Sequence, residues 1–125
     1  MKHQASTNDA PSAPHILSQA IVSSGFIFVA GQVHVLPDNT LVEGSVEEKL
    51  KQIMTNIQNI LVAAGSTLDD IVKVTIYVTD MTQIPDLNKF YPKYFTEPYP
   101  AREAVCVQAL PLGATIEISV IAAKG

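Results

Sequence analysis

The alternation of apolar and polar residues predicts strands in the first and middle parts of the chain. Two strands are predicted over 16–22 and 26–30, joined by a turn at Ser23-Ser24-Gly25. The second of them is apolar at every position, so both of its faces are expected to pack against other parts of the protein. A third strand is predicted over 71–79. Its apolar set is expected to face the helices and its other set to form a semi-polar face: Val72, Val74, Ile76 and Val78 against Lys73, Thr75, Tyr77 and Thr79.

Helical spacing of apolar residues marks the segment after residue 45 as the strongest helix. Ser45 and Glu48 form a capping box, in which the serine caps the helix and the glutamate lies three residues later. An apolar stripe then runs from Val46 to Ala64, and Gly65 suits a C-terminal cap.

A second helix is predicted over 85–95 from five aromatic or aliphatic residues at helical spacing. Pro92 conflicts with it, because proline lacks the N–H that a helix interior needs, and should kink or shorten it. Two final strands are predicted over 102–108 and 114–122.

The element order β-β-α-β-α-β-β predicts an α+β fold, a two-layer domain with one sheet and two helices on one face. The chain of 125 residues is long enough for a single domain, assigned to 15–125. Residues 1–14, rich in Ser, Ala, Pro and Asn, are predicted to form a flexible arm, disordered or extended. If the strands are in phase, the uncovered face of the sheet carries these residues: Thr75, Tyr77, Thr115, Glu117 and Ser119.

The composition of the chain limits the kinds of molecule that it is expected to bind. Apolar residues make up 47% of the chain and charged residues 16%, an excess that suggests an additional buried interface between copies of the chain. A net charge of −4 without a lysine cluster argues against binding nucleic acid. Cys106 is the only cysteine and the three histidines have no ligand spacing, so no metal site is expected. No apolar run is long enough for a membrane span, and a cytoplasmic location is expected, with a mitochondrial one left open.

Two charged residues in apolar surroundings are the main candidates for chemistry. Arg102 is the only arginine and precedes an apolar stretch, and Glu117 lies between two isoleucines. A guanidinium can grip a small anion while a carboxylate moves a proton beside it, although both could simply face solvent. The other candidates are expected to have structural roles. Tyr91 and Cys106 are predicted to lie in the core, and His34 is predicted to be a loop or surface histidine.

The placement of the last two strands decides whether these two residues can meet. A simple hairpin centred near Pro111 would put Arg102 opposite Val120 or Ile121. Glu117 would then lie roughly 10–13 Å further along the strand. An intimate pair within one chain is therefore not expected, and either a neighbouring subunit or a different strand order would bring other groups to each of them.

Several short motifs support a resemblance to a known family. They are Ser18-Gln19-Ala20, Phe28-Val29-Ala30-Gly31-Gln32, Leu41-Val42-Glu43-Gly44, Leu61-Val62-Ala63-Ala64-Gly65, and Pro100-Ala101-Arg102 with Glu117 fifteen residues after the arginine. From about Pro14 to Ala122 the chain resembles the Rid family of reactive intermediate deaminases, the RidA/YjgF proteins.

This resemblance implies a chorismate-mutase-like fold, a homotrimer with sites at the subunit interfaces, and no metal or cofactor. It implies hydrolysis of 2-imino acids, such as 2-iminobutanoate and 2-iminopropanoate, to 2-oxo acids and ammonia. Arg102 would grip the substrate carboxylate and Glu117 would hold or activate water. The other implied substrate contacts are Ala104, Gly31, Leu17 and Asn88.

Three positions depart from the family pattern and leave alternatives open. Leu17 replaces a frequent tyrosine, Ala104 a frequent cysteine, and His34 a common proline. These changes bear on substrate preference more than on the reaction. A trimeric ligand-binding or chaperone-like protein without turnover is the alternative. An endoribonuclease, a name given to some relatives, is disfavoured by the acidic charge and the lack of paired catalytic histidines.

Overall fold

The computed structural model describes residues 1–124 and has the predicted α+β architecture. Two helices, α1 (Val46–Ala63) and α2 (Ile84–Phe90), accompany one six-stranded sheet. Its strands are β1 His3–Ala5, β2 Ala20–Ser23, β3 Phe26–Val33, β4 Ile71–Val78, β5 Ala101–Cys106 and β6 Ile116–Ala123. The order across the sheet is β1-β2-β3-β6-β4-β5, and only β4 and β5 run parallel. Within residues 1–124, no helix combines the length and apolarity needed to cross a membrane.

Helix α1 is the main cover of the sheet, and both of its predicted ends are confirmed. The Ser45 hydroxyl accepts a hydrogen bond from the Glu48 N–H at 3.2 Å, and the Ser45 N–H donates to the Glu48 carboxylate at 3.2 Å. Gly65 follows the helix with φ +85°, a left-handed conformation that favours glycine. The apolar stripe of α1 is fully buried against the sheet, at Leu50, Ile53, Met54, Ile57, Ile60 and Leu61.

Strands β4 and β6 lie side by side at the centre of the core. Val74, Ile76 and Val78 are fully buried. On the other face, Tyr77 lies opposite Glu117 and Thr75 opposite Ser119, which confirms the predicted phase of this face. Val72 was expected in the core but is 43% exposed, because a bulge between Ile71 and Lys73 shifts the alternation at the start of β4. Thr115 lies just before β6, and its hydroxyl accepts a hydrogen bond from Lys49 of α1 at 3.0 Å.

The last two strands do not form the simple hairpin assumed for the distance estimate, and the structure has the alternative, a different strand order. Strand β6 lies between β3 and β4, and β5 pairs with the far side of β4 at the edge of the sheet. The Val107 N–H donates to the Val78 carbonyl at 2.8 Å, which keeps the chain on β4 as it leaves β5. Residues 108–115 then carry the chain to the other side of β4. This connection is too long to impose a tight hairpin.

The second helix is shorter than its apolar spacing predicts. Helix α2 ends at Phe90, and the chain continues as a 3-10 helix over Tyr91–Tyr94 with Pro92 near its start. A proline is tolerated in a first helical turn, where its missing N–H has no partner to lose. Pro92 thus begins the second segment instead of interrupting the first, and the aromatic side chains keep their buried side.

The N-terminal residues differ from the flexible arm that their composition predicts. His3–Ala5 pair with β2 as an edge strand, and the Ala10 side chain is buried. Gln19, itself buried, donates from its amide nitrogen to the carbonyls of Thr7, Ala10 and Pro11 at 2.8–3.2 Å. Its carbonyl oxygen accepts the Thr7 N–H at 2.7 Å. One buried amide thus anchors the segment that composition alone assigns to disorder.

Candidate functional site

Glu117 lies on the sheet face that the helices leave uncovered. It is half-buried on β6, between Val33 of β3 and Tyr77 of β4. Burial raises the pKa of the Glu117 carboxyl above its ordinary value. No basic side chain of residues 1–124 forms an ion pair with it, since the three ion pairs there use other carboxylates. Glu117 is thus poised to hold a proton nearer neutral pH than an ordinary glutamate.

Gly31 makes room for this carboxylate. A Cβ built on Gly31 would collide with a carboxylate oxygen of Glu117 and lie 3.0 Å from its Cδ. Strand β3 is irregular here, because its pairing with β6 shifts between Val29 and Gln32. A bulge and a missing side chain together let the carboxylate rest on the β3 backbone.

A cavity of about 320 Å³ opens beside Glu117. Glu117 is its only titratable lining residue, and most of the others are apolar, including Leu17, Ala30, Val33 and Leu112. Gly31 lines it as well, so three of the predicted site residues meet here: Leu17, Gly31 and Glu117. Residues 11–13 of the N-terminal segment complete one wall, which the prediction of a flexible arm missed.

Arg102 lies elsewhere, on the edge strand β5 and on the helix side of the sheet. It is opposite the buried Val74 of β4, and its guanidinium carbon lies 4.6 Å from the centre of the Tyr91 ring. Every ion pair within residues 1–124 uses a lysine, so the guanidinium has no carboxylate partner there. Ala104 follows on the same face, half-buried against the core opposite Ile76.

The structure therefore forms two half-sites and does not bring Arg102 and Glu117 together within one chain. They face opposite sides of the sheet, with β4 between their strands. Arg102 aligns with Val74 and Glu117 with Tyr77, an offset of roughly 10 Å along β4 and roughly 10 Å across two strand spacings. Asn88 is exposed on α2, one turn before Tyr91, and does not line the Glu117 cavity.

His34 is fully buried, which corrects its prediction as a surface residue. Its Nδ1 lies 2.7 Å from the Val42 carbonyl, and its Nε2 lies 2.9 Å from the Thr115 N–H. A carbonyl only accepts and an N–H only donates, so the ring is neutral, with its proton on Nδ1. Burial is the main cause that lowers the pKa of His34. The ring ties the loop after β3 to the chain just before β6.

Cys106 is exposed at the end of β5, and not in the core as predicted. An edge strand has no neighbour to bury its outer residues, and sequence periodicity does not show which strand is at the edge. Within residues 1–124 no group of three or more His, Cys, Asp or Glu side chains is close enough to hold a metal ion.

Comparison with known proteins agrees with this fold. A family model described as Endoribonuclease L-PSP matches residues 7–124. Protein HMF1 of Saccharomyces cerevisiae is 45% identical over 115 residues, which cover 92% of this chain and 89% of the yeast protein. The 2-iminobutanoate/2-iminopropanoate deaminase of Bos taurus is 40% identical over 121 residues, covering 96% and 88%. The crystal structure of yeast Mmf1 has a TM-score of 0.96 at 40% identity, with full coverage of both chains.

The α+β fold, shared with a solved structure at 40% identity, and the match of the family model together define the class of protein. The chain belongs to the RidA/YjgF family, to which the family model corresponds. Relatives in this family include the bovine deaminase and an Arabidopsis thaliana protein named Reactive Intermediate Deaminase A, chloroplastic.

Proposed function

We propose that this protein hydrolyses 2-imino acids, such as 2-iminobutanoate and 2-iminopropanoate, to 2-oxo acids and ammonia. The observation that carries the proposal is the pair of half-sites: a guanidinium with no carboxylate partner within residues 1–124 and a half-buried carboxyl of raised pKa. The bovine relative with the name of this activity is 40% identical over nearly the whole chain.

The two half-sites would be joined between copies of the chain, in a homotrimer. Arg102 lies on the edge strand β5, from which a long side chain can reach a neighbouring copy. The open face of the sheet, which carries Glu117, also exposes Phe26, Phe28 and Val105 by 39–45%. Large apolar side chains left exposed on the same face as Glu117 support burial of that face by a second copy.

The proposed reaction uses one group from each half-site. Arg102 binds the substrate carboxylate through paired hydrogen bonds that a lysine could not reproduce. Glu117, as the carboxylate, orients a water molecule and takes one of its protons as the oxygen bonds to the carbon of the protonated imine and the C=N electrons move to nitrogen. The protonated Glu117 then delivers that proton to the amine of the carbinolamine. As the C–N bond breaks, its electron pair leaves with the nitrogen and the hydroxyl gives its proton to the Glu117 carboxylate, so that the C=O bond of the 2-oxo acid forms and ammonia leaves.

Ligand binding without turnover is the alternative, and the side chains at 17 and 104 favour it. Leu17 brings no hydroxyl to the cavity that contains Glu117, and Ala104 brings no thiol near Arg102. This alternative predicts that carboxylates bind and imine decay is not accelerated. RNA cleavage, which the family description suggests, has less support, because the net charge is −4.

The test generates 2-iminobutanoate with a threonine dehydratase and follows its decay with added protein. We expect wild type to accelerate the decay and Arg102→Ala and Glu117→Gln each to lose most of the acceleration, roughly a hundredfold or more. Lys89→Ala and Glu47→Gln are matched controls, since each removes one charge of the same sign at a position exposed to solvent. Equal rates with wild type and with no protein would reject the deaminase.

The pH profile gives a second check on Glu117. Because burial raises the pKa of its carboxyl above the ordinary 4.5, the acceleration should decline on the acid side at a pH above that value. Subtracting the decay without protein at each pH isolates the contribution of the protein. An acid limb that persists unchanged in Glu117→Gln would assign the titration to another group.

A further inference from the structure

The guanidinium of Arg102 lies over the face of the Tyr91 ring. Tyr91 is only 6% exposed, and its ring lies 4.6 Å from the guanidinium carbon. Its other neighbours hold it in place: the Phe95 ring centre is 4.7 Å away, and the Tyr91 N–H donates to the carbonyl of the buried Leu87. The aromatic ring is thus a fixed surface against which a flexible arginine side chain rests.

Unlike an ion pair with a carboxylate, a contact with an aromatic ring can leave the N–H groups of the guanidinium free to bind an anion. A guanidinium donates hydrogen bonds in its plane, and one that stacks on an aromatic ring keeps those donors available. A carboxylate partner would occupy the N–H edge and compete with an incoming anion. Within residues 1–124 Arg102 has no such partner, because the ion pairs are made by Lys73, Lys89 and Lys93.

We propose that Tyr91 is a positioning residue, which orients Arg102 so that the N–H edge of the guanidinium is free to bind the carboxylate of the ligand. The inference rests on the carboxylate contact of the proposed function and adds a residue to it. Tyr91 acts through Arg102 and does not itself touch the reacting atoms.

The contribution of the Tyr91 ring can be distinguished from that of its hydroxyl. The hydroxyl is buried, and nothing within residues 1–124 makes a hydrogen bond to it. The contribution of Tyr91 is therefore assigned to the ring face, which phenylalanine shares. Tyr91→Phe keeps the ring and removes only the hydroxyl, and Tyr91→Leu removes the ring and keeps an apolar residue.

A neighbouring aromatic residue supplies a matched control. Lys93 lies over the Tyr94 ring at 5.3 Å and over the Phe90 ring at 5.7 Å, so Tyr94 makes a similar contact with a different cation. Tyr94→Leu removes that contact and leaves the Tyr91 ring in place. If general damage to this helical segment were enough to weaken binding, Tyr94→Leu would weaken it as well.

The first measurement is the binding of 2-oxobutanoate by titration calorimetry, which needs no imine turnover. We expect Tyr91→Leu to weaken binding roughly threefold to thirtyfold. Tyr91→Phe and Tyr94→Leu should each stay within about twofold of wild type. In an Arg102→Gln background, Tyr91→Leu should cause no further loss, because the two residues act as one unit. In the imine assay the same loss should appear mainly in KM.

The second measurement uses wild type alone and remains decisive if Tyr91→Leu fails to fold. Arg102 is the only arginine, so one arginine Nε–Hε signal is expected in a nitrogen–proton NMR spectrum. A guanidinium over an aromatic face should have this proton shifted upfield, and 2-oxobutanoate should move the signal. In Tyr91→Phe the upfield shift should remain.

The outcomes separate this inference from the proposed function. Wild-type affinity in a folded Tyr91→Leu, or an Nε–Hε signal at the position of a free arginine, overturns the role of Tyr91. Carboxylate binding that depends on Tyr91 without faster imine decay rejects the deaminase and leaves the role of Tyr91 standing. No binding of 2-oxobutanoate by wild type at millimolar concentration overturns the role of Tyr91 together with the carboxylate contact.

Discussion

His34 joins two backbone segments that border the cavity. Its ring accepts the Thr115 N–H two residues before Glu117 and donates to the Val42 carbonyl in the loop after β3. Only the neutral ring can make both bonds at once, because a protonated Nε2 could no longer accept the Thr115 N–H. Lys49 is the nearby cation that opposes protonation, and Glu43 is the nearby anion that favours it.

Stability should therefore fall as pH is lowered past the ordinary range of histidine. The pKa of His34 is lowered in the folded state, so between that pKa and 6.5 the unfolded chain binds more protons and protonation favours unfolding. We expect the free energy of unfolding in urea to decrease more between pH 7.5 and 5.5 in wild type than in His34→Gln. Parallel pH dependence in the two proteins would contradict this.

Single residues show where sequence reasoning succeeds and where it stops. Arg102 and Glu117 stand out in the sequence because charged residues in apolar strands are unusual, and their role in a site stays a prediction. The burial of His34 and the contact between Tyr91 and Arg102 could not be predicted. Both depend on which segments meet across the fold, and periodicity gives the face of an element and not its partner.

At the scale of elements, the irregular part of β3 is the feature that shapes the Glu117 side of the site. The strand shifts its pairing between Val29 and Gln32, and Gly31 in that interval has no side chain to exclude the carboxylate. The atom that a Cβ would meet is the far end of a flexible side chain, so the carboxylate can move aside while the backbone stays.

Gly31→Ala should therefore impair function far more than folding. A carboxylate displaced by about 1 Å is expected to lose roughly a hundredfold in rate. The measurements are imine decay and the midpoint of thermal unfolding, with the midpoint expected to change little. In a Glu117→Gln background the alanine should cause no further loss of rate, and an added loss there would show that Gly31 acts by another route.

The elements themselves were largely predictable, and their arrangement was only partly so. The capping box at Ser45 and the alternation in β4 depend on local chemistry, so both α1 and this strand were predicted close to their bounds. The neighbours of β5 and β6 depend on contacts between distant residues. The hairpin considered for the last two strands does not form, because these consecutive strands do not pair with each other.

For the whole molecule, the open face of the sheet is the surface that a neighbouring copy would cover. Phe28, opposite Ile121, is 45% exposed at its centre. An apolar residue that is half-exposed in a single chain becomes buried if copies assemble through this face, and a charge there would oppose assembly.

Phe28→Lys should dissociate the proposed trimer to monomers and remove the acceleration of imine hydrolysis. The reason is that Arg102 of one copy would no longer lie near Glu117 of another. Light scattering coupled to size-exclusion chromatography measures the mass of the assembly. Val62→Lys is the matched control, since Val62 is 59% exposed on α1, away from the open face. A wild-type monomer, or a Phe28→Lys trimer with full activity, would contradict the shared site.

The position of β6 has a consequence for how the molecule is made. This strand leaves the ribosome after the other five, yet it belongs between β3 and β4. During synthesis, β2–β3 and β4–β5 can form only as two separate half-sheets with unpaired inner edges, and the final strand joins them. Glu117 arrives with that strand, so the acidic group of the site is installed in the same step that unites the sheet.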